Sequence, residues 1–92
     1  MSNRRSEWDA FAYKVGKHID EYTVKQYGDY PDDKLTEYSI DSIVQEIKKY
    51  CARVHTNARG RDETMRDTLK IAHYAAVLHS KLQEERWKNQ ET

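Results

Sequence analysis

Ninety-two residues, with sixteen Lys and Arg balanced by sixteen Asp and Glu, allow one modest hydrophobic core and no overall field that would draw the chain along a nucleic acid. No apolar run approaches the roughly 20 residues that span a bilayer, and the one cysteine, Cys51, excludes an internal disulfide framework. The charged fraction is 35%, yet apolar residues recur at helical spacing. The chain is therefore expected to fold as a single all-α domain over 1–92, cytoplasmic and without a signal peptide.

Trp8, Phe11, Ala12, Val15, Ile19 and Tyr22 recur every three or four residues, which predicts a first helix over about 7–27 with one buried stripe. Residues 1–5 are expected to fray. Gly28 supplies a left-handed helix end, and Pro31 turns Tyr30 away from helical geometry, so 28–33 is a connection. One short helical turn is expected within 32–37.

Ser39 is placed as an N-cap, with Asp41 in the following turn, and Ile40, Ile43, Val44, Ile47, Tyr50, Cys51 and Val54 define a second helix over about 40–55. The turn formers of 56–61 follow, and Asp62 is expected to cap a third helix over about 62–88. Its middle, Ile71-Ala72-His73-Tyr74-Ala75-Ala76-Val77-Leu78, is apolar nearly all round and calls for cover on more than one side. The three helices are expected to form a small bundle with the third one central. A second copy of the chain is the expected additional cover, giving a homodimer. Residues 89–92 are expected to fray, with Trp87 docked just before them.

Lys48, Lys49, Arg53, Arg59 and Arg61 follow one another with no acidic residue between them. Arg59-Gly60-Arg61 stands just before a helix start, where free backbone N–H groups favour an anion. Lys49, Arg53, Arg59 and Arg61 are accordingly the candidate anion-binding residues, against the plainer reading of a solvated basic helix face. Glu63 and Asp67 lie four apart on one helical face and are the candidate ligands of a hard cation such as magnesium. Against this, Arg66 and Lys70 each follow one of these acids by three, as in ordinary surface ion pairs. Cys51 is expected to be a small buried hydrophobe, and His73 a buried polar side chain with a hydrogen-bond partner. The histidines lack metal-site spacing, and there is no nucleophile triad, P-loop or glycine fingerprint.

The run Glu63-Thr64-Met65-Arg66-Asp67-Thr68-Leu69-Lys70-Ile71-Ala72-His73-Tyr74-Ala75, with Tyr27-Gly28-Asp29 before it, resembles a helix of the MazG-like all-α nucleotide pyrophosphohydrolases. It is also similar to small phage-type nucleotide-modification-associated domains of uncharacterised activity. The resemblance covers about a third of the chain. It implies a magnesium site made from paired carboxylates on two helices, in which Asp67 takes the place of the aspartate, with Lys70 or Arg66 meeting a substrate phosphate. The residue three before Asp67 is Thr64, and Glu46 is followed three later by Lys49, so the carboxylates expected at those two positions are missing.

The leading expectation is therefore a noncatalytic binding or interaction module for an anionic ligand or nucleotide, acting without a cofactor. The alternatives are a magnesium-dependent nucleotide pyrophosphohydrolase and a purely structural oligomerisation protein. Membranes and extended nucleic acid are not expected partners.

Overall fold

A computed structural model of the chain describes the backbone of residues 2–91 and the side chains of residues 2–84. The fold is all-α, with no strand among the described residues. No described helix is long and apolar enough to cross a membrane. The chain divides into two compact units, Met1–Thr36 and Glu37–Thr92.

In the first unit, α1 spans Asn3–His18. It begins four residues earlier than the apolar stripe predicts, because the Ser2 side chain caps it by accepting a hydrogen bond from the Arg5 N–H at 3.1 Å. Residues 3–5, expected to fray, are therefore helical, since such a cap satisfies a donor that would otherwise lose its partner. The rod continues through a π-helical turn, Ile19–Thr23, into α2, Val24–Tyr27. In the π turn the Val24 N–H reaches back five residues to the Ile19 carbonyl.

A π turn inserts one residue and rotates everything after it relative to the preceding helix. This accounts for a correction to the expected stripe at Tyr22, which is exposed, while Thr23 beside it is buried. Trp8 is also exposed, with its ring tilted against Phe11 at 5.8 Å. His18 is buried and stacks on Tyr22 at 5.2 Å.

Gly28 closes α2 with φ 96° and ψ −175°, a backbone region essentially restricted to glycine. A Cβ there would also stand 3.4 Å from the Asp33 Cα. The expected short turn is a 3-10 helix, Lys34–Glu37. The Asp33 carboxylate accepts from the Thr36 N–H at 2.9 Å, and Leu35 is buried.

The second unit is a helical hairpin. Helix α3 spans Ile40–Thr56, and the Ser39 side chain caps it by accepting from the Ser42 N–H at 3.1 Å. It ends on Asn57 in the left-handed region, φ 50°, whose N–H donates to the Arg53 carbonyl at 2.9 Å. After a short connection through Gly60, with φ 92°, α4 runs Arg61–Glu91 and packs along α3. So short a link between two helices makes them antiparallel neighbours.

Asp62 lies inside the first turn of α4 and does not cap it. That helix start is tied down by Thr64, whose N–H donates to the Gly60 carbonyl at 3.0 Å. The Thr64 hydroxyl lies in hydrogen-bond range of the same carbonyl and of the Asn57 side chain.

Ile43 and Tyr50, two turns apart on one face of α3, are buried, and Tyr50 stacks on the buried Tyr74 of α4 with ring centres 5.8 Å apart and planes 12° apart. Cys51 is exposed, which corrects its expected burial. One residue beyond Tyr50 turns about 100° away from the packed face of a helix with 3.6 residues per turn. Within the hairpin, the cover on the third helix comes from α3. Ala75 and Ala76 are exposed, as are Met65 and Leu82, and small alanine side chains make such exposure cheap. His73, expected to be buried, is half-buried and lies against Tyr74, ring centres 6.1 Å apart. The docking predicted for Trp87 lies outside the described side chains.

Candidate functional site

Glu63, Asp67, Lys70 and Tyr74 follow one another at spacings of four, three and four, which sets them along one face of α4. Tyr74 meets Tyr50, so this face is the one turned to α3. Its polar members are consequently drawn into the seam between the two helices. Asp67 is 1% exposed, the most buried polar side chain among the described residues. Its Oδ1 has no hydrogen-bond partner. The nearest opposite charge in range is the Lys70 ammonium at 3.8 Å, beyond hydrogen-bond length.

Three cations converge on the Tyr50 ring. Lys49 Nζ stands 4.9 Å from its centre, Lys70 Nζ 4.9 Å and the Arg53 guanidinium carbon 5.1 Å. Each is close enough for attraction to the ring quadrupole, and each also feels the like charge of the others. Lys49 and Arg53 come from α3, one turn apart, whereas Lys70 comes across from α4.

The three cations differ in how they are neutralised. Lys49 is bonded to the Glu46 carboxylate at 2.8 Å, and that bond, reinforced by the nearby Tyr50 and Glu46 charges, holds it above the ordinary lysine value of 10.5. Lys70 goes the other way. Burial pushes it below 10.5, the carboxylates of Asp67 and Glu63 pull it partly back, and the Arg53 and Arg59 guanidiniums add to the depression. Among the described residues no carboxylate lies in ion-pair range of Arg53. The arrangement is a patch of positive charge, partly stripped of water and incompletely compensated, of the kind that strengthens attraction to an anion.

Of the sequence-predicted anion residues, the structure brings Lys49 and Arg53 together. Arg59 is engaged elsewhere, its guanidinium 3.7 Å from Glu63 Oε2. Arg61 is exposed in the first turn of α4. Lys70, which the sequence placed beside Asp67 as a counter-charge or beside a substrate phosphate, and Tyr50, read there as core, complete the cluster. The signal available for them was the spacing that aligns Lys70 with Tyr74 on one helical face.

The candidate cation ligands fare differently. Glu63 is held by Arg66 at 3.0 Å as well as by Arg59, and Asp67 faces an ammonium. Among the described residues there is no group of three or more His, Cys, Asp or Glu placed to hold a metal. The chain matches no family model, no curated protein and no solved structure.

Proposed function

We propose that the α3–α4 hairpin is a noncatalytic binding module for a small anionic ligand, a phosphate or a nucleotide phosphate, seated at Arg53 and Lys70 beside Tyr50. The observation that carries this reading is Arg53 on the Tyr50 ring without a carboxylate in ion-pair range, next to a Lys70 that burial already destabilises. An arriving phosphate would neutralise both and accept from the guanidinium fork, which suits its geometry. Similarity of 63–75 to nucleotide-handling helices adds support for a nucleotide over other anions. The domain works in a reducing compartment such as the cytoplasm, where an exposed single thiol like Cys51 stays reduced.

Calorimetric titration with inorganic phosphate and with ATP, at low and at physiological salt, tests the reading. Affinity is expected to fall with salt and to drop about tenfold or more in Arg53→Ala, as for the loss of a charged hydrogen bond. Absence of binding at low salt, or an Arg53→Ala protein that binds as wild type does, contradicts it.

A second reading is self-association through α4, favoured by Met65 at 55% and Leu82 at 48% exposure on that helix. Sedimentation over a range of concentrations tests it, and a monomer throughout contradicts it.

A further inference from the structure

Lys70 differs from most described lysines of the chain in where its amine is held. Lys14, Lys17, Lys25, Lys34, Lys48 and Lys49 are exposed, whereas Lys70 and Lys81 are half-buried, and the Lys70 side chain is 25% exposed. It lies on the same aromatic ring as Arg53 and Lys49, with a buried carboxylate oxygen 3.8 Å away that accepts no hydrogen bond. We infer that Lys70 is an amine nucleophile that forms an imine with small anionic carbonyl compounds, the anionic group being held by Arg53. This rests on the anion-site reading above and adds a reaction to it.

The chemistry follows from the placement. The Lys70 ammonium gives a proton to water, and the freed Nζ lone pair attacks the carbonyl carbon. The carbon–nitrogen bond forms as the carbonyl π pair moves to oxygen. That oxygen leaves as water, carrying one of the two amine protons and a proton taken back from solvent, and a protonated imine remains. Nothing is oxidised or reduced, and the net charge is unchanged. Burial and the neighbouring Arg53 favour the neutral amine, the form that reacts. Docking the anion at Arg53 raises the local concentration of the carbonyl at Nζ, the familiar advantage of a positioned reactant.

The test incubates the full chain with pyridoxal phosphate or with pyridoxal, its phosphate-free counterpart, traps imines with borohydride and maps the modified lysines by mass spectrometry. Lys70 is expected to be labelled about tenfold faster than any exposed lysine by the phosphate-bearing aldehyde. Its labelling should reach a plateau at a pH below the ordinary lysine value of 10.5, and excess inorganic phosphate or Arg53→Ala should suppress it. Label spread over the exposed lysines, while phosphate still binds by calorimetry, overturns the nucleophile and leaves the anion site standing. Equal labelling of Lys70 by both aldehydes, unaffected by phosphate, overturns the anionic selectivity and the anion-site reading together.

Discussion

Two stretches of the α3–α4 seam are built on the same helical spacing and filled with opposite chemistry. Around Tyr74 the seam is aromatic: Tyr50 and Tyr74 stack, both nearly inaccessible to water. One turn and two turns nearer the connection, the matching positions of α4 carry Lys70 and Asp67. Apolar side chains there would pack as well and leave no buried oxygen without a partner, because exchanging a buried ion pair for hydrophobic residues is often neutral or stabilising. A polar group left orphaned in a packed seam costs about 1–3 kcal/mol. Its place beside three cations accords with the proposed anion site.

The contrast can be broken from either side. The largest effect is expected at the aromatic stretch. Tyr74→Ala should cost about 4 kcal/mol in urea unfolding, as for other buried aromatic truncations, with no specific consequence for phosphate affinity once the protein is folded. At the polar stretch, Lys70→Met should cost about 3 kcal/mol, because the Asp67 carboxylate is then buried without a counter-charge. Removing both charges, Asp67→Leu with Lys70→Met, should restore the loss to within about 1 kcal/mol of wild type or exceed it, while abolishing anion binding. A double variant as unstable as Lys70→Met alone would mean that the polar stretch is there for packing.

The smallest effect is in pH. Lys70 titrates below 10.5 when folded, so between that lowered value and 10.5 the unfolded chain binds more protons than the folded one. Its contribution therefore makes stability rise with pH across that window. Lys49, held above 10.5 by Glu46, acts in the opposite sense: its stabilisation is present below 10.5 and is lost as pH climbs through its folded value. Relative to Lys70→Met, wild type should gain stability as pH approaches 10.5, measured by unfolding at a series of pH values.

Much of the hairpin was legible from local chemistry. Ser39 caps α3 as its side chain and position dictate, the turn formers of 56–61 mark the reversal, and Ile43 and Tyr50 lie on the packed face as their spacing requires. The early start of α1 depends on Ser2 rather than on an apolar stripe, and the π turn at Ile19–Thr23 has no periodic signature, so Thr23 and His18 were missed as buried polar groups. The basic segment was visible, but its grouping was misread. Proximity in sequence joined Arg59 and Arg61 to Lys49 and Arg53, whereas the fold hands Arg59 to Glu63 and brings Lys70 across from the other helix. Asp67 stood out as an acid, and only the packing of Tyr74 on Tyr50 reveals that its helical face is turned inward.

The most direct test of the cation cluster is a nitrogen–proton NMR titration of the full chain with inorganic phosphate at low salt, following the Arg53 guanidinium and the backbone amides. The account predicts saturable shifts at Arg53 and around Lys70 and Tyr50, with Arg61 unmoved. Shifts confined to Arg59 and Arg61, or none at Arg53 when phosphate is in excess, would contradict it.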